Sequence, residues 1–330
     1  MAFVLRWQTR LIYNLQTLYY NMLSFFKLIR YHNLLMLAFM QLLFRYAFLK
    51  WQDVPLSLAD WQYALLVLST VLIAAGGYVI NDIFDQDTDS ENKPNRVIVG
   101  NNISEAAAYN IYVILNVIGV GIGFYLSNVI QKPGFATIFI LIASMLYLYA
   151  TSLKQTLLIG NLIVALLLSF SVVIIGIYDL YPATYEGNQK QMAVLFSILL
   201  DYAIFAFIIN FIREIVKDLE DVNGDYNQGM NTLPIVLGVQ RTTRVVFVLS
   251  FIPLLILLYY TNEYFAVSHL YLTMVYTLLF VVGPLLYFNI KCWSAKSKKD
   301  YRHLSTILKF VLLFGILSIA VVAYNIKNHA

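Results

Sequence analysis

Between Tyr78 and Arg96 the chain reads YVINDIFDQDTDSENKPNR, and Asp82, Asp85, Asp87, Asp89 and Glu91 put five acids into ten residues. The whole chain has only 18 acidic residues in 330, so this density has a local cause. A second run, Arg213 to Gly238, reads REIVKDLEDVNGDYNQGMNTLPIVLG and carries Asp218, Asp221 and Asp225. Asn81, Asp85 and Asp89 stand four apart and the second set three and four apart, so on a continuing helix each set shares one face. Asp82 lies one residue round from Asn81. Like charges at these spacings repel, which implies a counter-charge. Hard oxygen ligands with no His or Cys nearby favour Mg²⁺ or Ca²⁺ over zinc. An EF-hand fails on inspection: its glycine position holds Ser90 and its bidentate-glutamate position holds Arg96. Mg²⁺ usually takes one or two carboxylates and completes its shell with water and phosphate oxygens. Two acidic helix ends facing each other would therefore hold two or three Mg²⁺ ions around a diphosphate. Cations stand near in the sequence: Lys93 and Arg96 after the first run, Arg213 and Lys217 within the second, and Lys154 between them.

The elements that must position these residues are membrane helices. Hydrophobic residues make up 60% of the chain, charged residues 12%, and the mean hydropathy is +0.72. Apolar windows of roughly 20 residues, enough to cross about 30 Å of hydrocarbon, recur along the whole length. Nine spans are predicted, at about 32–50, 61–81, 106–127, 135–151, 157–178, 192–212, 244–261, 267–290 and 306–326. They leave little room for anything else, so the expectation is one all-α membrane domain over residues 1–330. A β-barrel is disfavoured, because its strands alternate and these runs are continuous.

Placing the N-terminus in the cytoplasm puts 17 of the 22 Lys and Arg residues on cytoplasmic segments. The predicted topology is therefore N-in and C-out. Both acidic runs then lie on the cytoplasmic side, in loops 82–105 and 213–243, each after an even-numbered span. Residues 1–31 mix Arg6, Arg10, Lys27 and Arg30 with aromatic residues, the pattern of a short interfacial helix rather than a signal peptide. The net charge of +4 follows from this topological bias and argues for no nucleic-acid partner. Cys292 is the single cysteine, so no intrachain disulfide forms. The basic segment KCWSAKSKKDYRHLS, from Lys291, reads as a topology determinant attracted to anionic lipid.

In these residues the chain resembles the UbiA superfamily of intramembrane prenyltransferases. The resemblance rests on Asn81-Asp82-x-x-Asp85-x-x-x-Asp89 after span 2 and Asp218-x-x-Asp221-x-x-x-Asp225 after span 6. Further matches are Arg30 and Asn33 entering span 1, Tyr149 and Lys154 near the end of span 4, Gly160-Asn161, and Thr232-Leu233-Pro234. Val97, Asn231 and Tyr31 depart from residues common in the family. None of them is a metal-ligating position.

The resemblance implies a nine-helix bundle in which Asp85, Asp89, Asp221 and Asp225, helped by Asn81, Asp82 and Asp218, bind Mg²⁺ with an isoprenyl diphosphate. Lys93, Arg96, Lys154, Arg213 and Lys217 would neutralise the phosphates. Tyr149 would face the allylic cation with its ring, and Asn33 and Asn161 would line the cavity. The wording REIVKDLEDVNGD is most similar to the branch acting on geranylgeranylglyceryl phosphate. An aromatic quinone precursor as acceptor, or a cyclase that quenches the cation within its own chain, stays open. Two non-enzymatic alternatives are a divalent-cation transporter and an accessory protein. The first needs acids at the bilayer midplane, and these runs are at the edge. The second sits poorly with intact aspartates in both motifs. The resemblance also implies a prokaryotic plasma membrane with the site facing the cytoplasm.

Overall fold

The computed structural model describes residues 22–92, 94 and 97–329. Lys93, Arg96 and residues 1–21 of the predicted interfacial segment lie outside the described residues; residues 22–28 are helical. Among the described residues nine helices are long and apolar enough to cross a membrane. They are α1 (Tyr31–Gln52), α2 (Asp60–Phe84), α3 (Glu105–Val129), α4 (Pro133–Thr151), α5 (Ile159–Ala183), α6 (Gln189–Asn227), α7 (Val239–Ala266), α8 (Tyr271–Ser294) and α9 (Lys298–Asn328). Each contains or overlaps one predicted span.

The ends differ from the prediction where charge enters a helix. α6 runs unbroken for 39 residues, so Asp218, Asp221 and Asp225 are helical rather than looped. Hydropathy drops after residue 212, but the backbone ladder does not, because Glu, Lys and Asp side chains at a helix end are satisfied by water and by one another. The basic segment after α8 likewise becomes the first turn of α9, where the Asp300 carboxylate accepts from the Lys296 and Ser297 amides at 3.1 and 2.9 Å. α3 starts at Ser104, whose hydroxyl accepts from the Ala107 amide. Between α6 and α7 a short helix, Leu233–Leu237, ends at Gly238 with φ +84°, a conformation that L side chains rarely adopt.

Two apolar cores share α6 as a wall. One gathers α1 to α6 and the end of α9 around Phe44, Leu66, Phe139, Ile174 and Leu199, and the other gathers α6 to α9 around Ile212, Leu285, Phe288 and Leu308. On the outside, Val117, Leu141, Leu255 and Ile290 are exposed, as a lipid-facing surface requires. The first core is incomplete at one end, and a cavity opens there.

Candidate active site

The first motif sits where α2 stops. Asp85 (φ −97°, ψ 7°) interrupts the helix, and a short helix, Gln86–Asn92, follows. The i→i−4 bonding nevertheless continues, from the Asp85 amide to the Asn81 carbonyl at 2.9 Å and from the Asp89 amide to the Asp85 carbonyl at 2.7 Å. Asn81, Asp85 and Asp89 thus keep the shared face that their spacing predicts. The second motif needs no such device, since α6 carries it whole.

Asn92 joins the two motifs. Its Oδ1 accepts from the Gly224 amide at 3.1 Å, and a Cβ at Gly224 would run into the Asn92 amide group. Asn227 also donates to Glu91. From α9, Lys298 donates to the Asn92 carbonyl at 2.9 Å and Arg302 pairs with Glu220 at 2.9 Å. The basic segment read from sequence as a topology determinant therefore also holds both motifs. Its one visible signal was charge, which lipid attraction explained equally well.

Cations meet the acids one by one. Arg30 pairs with Asp82 at 2.8 Å and lies over the Tyr78 ring, 5.0 Å from its centroid. Its backbone is left-handed (φ 51°), a strained setting for a non-glycine residue. Burial works against its charge, but Asp82, Tyr78 and Asp89 outweigh burial and raise its pKa above the ordinary guanidinium value. Lys154 pairs with Asp85, which also accepts from Asn81 Nδ2 at 2.5 Å. Asn161 donates to Asp218 at 2.7 Å. Arg213 and Lys217 bracket Glu214 at 3.3 and 2.7 Å. Glu214, buried within the second acidic run, was overlooked in the sequence because it falls outside the aspartate spacing.

These groups form the mouth of a cavity of about 170 Å³. Arg30, Asn33, Asn81, Arg213, Glu214 and Lys217 line its polar end. Asn33 donates to the Tyr78 hydroxyl at 3.3 Å. The other walls, from α1, α2, α4 and α5, are mainly apolar, with Thr70 and Ser171 among them, and Tyr149 belongs to the lining within electrostatic reach of Glu214, Asp85 and Asp218. Of the residues singled out in the sequence, Arg30, Asn33, Asn81, Tyr149, Arg213 and Lys217 line the cavity. Asp82, Asp85 and Asp218 are tied beside it by Arg30, Lys154 and Asn161.

Among the described residues, no three His, Cys, Asp or Glu side chains form a metal cage by themselves. The donor set still fits Mg²⁺. Asn81 Oδ1 is buried and accepts no hydrogen bond among the described residues. Leaving such an atom unpaired costs about 1–3 kcal/mol. It stands beside hard carboxylate oxygens, and Mg²⁺ draws the rest of its shell from water and phosphate rather than an all-protein cage.

A helical membrane bundle with an acid-and-cation mouth over an apolar cavity is built to hold an amphiphile with an anionic head. The chain belongs to the UbiA prenyltransferase family, whose profile matches residues 34–314. It is accordingly an integral membrane prenyltransferase. It is 34% identical over 237 residues to a digeranylgeranylglyceryl phosphate synthase of Sulfurisphaera tokodaii, covering 70% of this chain and 78% of the relative. With the corresponding synthase of Korarchaeum cryptofilum the identity is 30% over 263 residues, covering 79% and 85%. The fold matches a solved structure from work on digeranylgeranylglyceryl phosphate synthase in membranes, with TM-score 0.61, 23% identity and coverage of 92% and 98%. It also matches a UbiA homologue of Archaeoglobus fulgidus bound to GPP and Mg²⁺, with TM-score 0.56, 15% identity and coverage of 90% and 99%.

Proposed function

We propose that the protein transfers a polyprenyl group from an isoprenyl diphosphate to the hydroxyl of geranylgeranylglyceryl phosphate, with Mg²⁺, at the cytoplasmic face of a prokaryotic plasma membrane. The observation that carries this reading is the cavity itself. One end gathers Arg30, Arg213 and Lys217 beside both aspartate motifs, and the rest is mainly apolar. The acceptor assignment is supported by relatives bearing that synthase's name and by Arg213 and Lys217, two cations in the cavity lining that could meet a second phosphate.

Asn81, Asp85, Asp89, Asp218, Asp221 and Asp225 would hold the metal, with Asp82 keeping Arg30 at the mouth. Bound Mg²⁺ supplies charge withdrawal from the diphosphate, making it a better leaving group. Arg213 and Lys217 bind phosphate oxygens, and Glu214 keeps their charges in place. The allylic C1–O bond breaks with its electron pair leaving on the diphosphate. The acceptor oxygen then bonds to C1 and passes its proton to the departing diphosphate. Tyr149 presents a ring face to the developing cation, and the apolar walls exclude water that would capture it first.

The test is diphosphate release from geranylgeranyl diphosphate by the purified protein in detergent, with and without Mg²⁺ and geranylgeranylglyceryl phosphate. Mg²⁺-dependent release coupled to a prenylated glycerol phosphate is expected. Release with a cyclised hydrocarbon and no acceptor product would replace this reading with the cyclase. Transfer only to an aromatic acceptor would replace the acceptor.

A further inference from the structure

The closed end of the cavity is built as carefully as its mouth. At about 1.5 Å per helical residue, Thr70 and Phe139 lie about 16 and 15 Å along their helices from Asn81 and Tyr149. All four line the cavity. Ile73, Phe139 and Ile174 line it too and are buried almost completely, and the position of Ile73 and Phe139 along their helices, eight residues from Asn81 and ten from Tyr149, makes them the floor.

Beside them the same end is polar, for Thr70 and Ser171 also line it and are tied to Gln41 behind the lining. Fully buried Gln41 donates to the Ser171 carbonyl at 3.0 Å, accepts from the Thr70 hydroxyl at 2.7 Å, and offers its own carbonyl to the Tyr63 hydroxyl at 2.6 Å. A hydrocarbon chain that pushed past the floor would have to break this network and leave buried polar groups unpaired, which is expensive in a membrane interior.

Two floor side chains are also fixed from behind by α3, which contributes nothing to the lining. A Cβ at Gly119 would come within 2.8 Å of Ile73 Cγ1, and one at Gly123 would overlap the Phe139 ring. These glycines are four residues apart and so share a helix face. Phe139 is further held edge-on by Tyr178 at 5.4 Å, whose hydroxyl bonds Ser127 at 2.7 Å and donates to the Phe135 carbonyl at 3.1 Å. The ring therefore has no easy retreat.

We infer that the Ile73–Phe139 floor, backed by Gly119 and Gly123, determines which donor chain length the enzyme prefers. Resting on the prenyl-transfer reading, it assigns specificity to a helix that never touches the substrate. Removing bulk from the floor deepens the cavity. Adding a methyl group behind it drives the ring inward and makes the cavity shallower. The two changes must act with opposite sign.

The experiment presents full-length protein with an equimolar mixture of farnesyl, geranylgeranyl and geranylfarnesyl diphosphates, a constant acceptor and Mg²⁺, and measures the prenyl length of the products. Phe139→Ala is expected to raise the ratio of longer to shorter products by about tenfold, the scale on which hydrophobic pockets discriminate single methylenes. Gly123→Ala is expected to lower it by about the same factor. Phe139→Leu is expected to act in the direction of Phe139→Ala but more weakly. Should Phe139→Ala fail to give a folded protein, Phe139→Leu and Gly123→Ala still carry opposite expectations. An active wild type whose variants lose rate equally on all three donors, with the product ratio unchanged, overturns the floor and leaves prenyl transfer standing. A wild type that consumes none of the donors overturns prenyl transfer and the floor with it.

Discussion

The two ends of the bundle each contain an arginine paired with an aspartate, and they are built differently. At the far end Arg45 and Asp179 are 2% and 0% exposed, 2.5 Å apart, and wrapped in further partners. Arg45 also donates to the Leu58 carbonyl at 2.5 Å and lies over the Tyr63 ring at 4.4 Å, while Asp179 accepts from the Leu58 amide at 3.0 Å. Each sits on a π-helical turn, Phe44–Phe48 and Gly176–Leu180, which re-aims a side chain across the bundle. At the motif end Asp82 and Asp85 are 13% and 16% exposed, beside the mouth of a cavity, and their cations come from separate elements. The far pair is closed and joins helices. The near pairs are open and leave the acids facing a space that a ligand can enter. Burial of charge alone therefore does not mark a site; access does.

Breaking the near end should remove activity and spare the fold. Asp85→Asn or Asp221→Asn is expected to lower turnover by a hundredfold or more, on the order of what one key electrostatic group contributes. The melting temperature in detergent should fall far less than with Arg45→Ala, because the amide oxygen placed at position 85 still accepts from Lys154 and a neutral amide relieves repulsion within each motif. Steady-state turnover beside a thermal scan decides this, and two active variants would sink the metal assignment. Breaking the far end should do the reverse. Arg45→Ala strands the Asp179 carboxylate and is expected to cost about 3–5 kcal/mol of stability. Turnover per folded molecule should hardly change. Replacing both partners, Arg45→Met with Asp179→Leu, should recover most of the loss, since a well-packed apolar pair avoids the stranded charge. A double variant as unstable as the single one would mean that the pair does more than satisfy itself.

The sequence made one of these ends readable and hid the other. The near end announces itself because Asn81, Asp85 and Asp89 recur at helical spacing, as do Asp218, Asp221 and Asp225, and local periodicity is what a sequence displays. The nine spans were legible for a similar reason, as continuous apolar runs. Arg45 stood alone in an apolar span, and Asp179 stood among aromatic residues resembling an interfacial loop. Their pairing joins positions 134 residues apart, for which no local signal exists. The same holds for Asn92 with Gly224, and for Gly123 with Phe139. The extent of α6 was misjudged because hydropathy tracks lipid contact rather than backbone hydrogen bonding, and the helix continues past the predicted span, through the second motif, to Asn227.

The join between the motifs offers a smaller and more selective perturbation of the near end. Gly224→Ala forces a methyl group against Asn92 and should separate the short helix Gln86–Asn92 from α6. The Mg²⁺ concentration for half-maximal activity is expected to rise about tenfold, the range typical for groups that orient metal ligands without binding the metal. Asn92→Ala in the same chain makes room for the methyl group, so the double variant should need less Mg²⁺ than Gly224→Ala alone. Strictly additive effects in this cycle would show that the two residues do not act through each other.

Tyr149 gives the finest comparison, because it lines the cavity between the charged mouth and the apolar depth. If its role is the ring face, Tyr149→Phe should keep turnover within about threefold, since the hydroxyl is not what faces the cation. Tyr149→Leu should lose about tenfold, corresponding to roughly 1.4 kcal/mol, within the range of a desolvated cation–π contact. The loss should fall on the chemical step and leave the KM for the donor nearly unchanged, because the cation exists only after the C–O bond begins to break. A large loss with Tyr149→Phe would transfer the role to the hydroxyl and its neighbours Glu214 and Asp85. Equal loss in KM and turnover with Tyr149→Leu would make the ring a wall of the cavity rather than a partner of the cation.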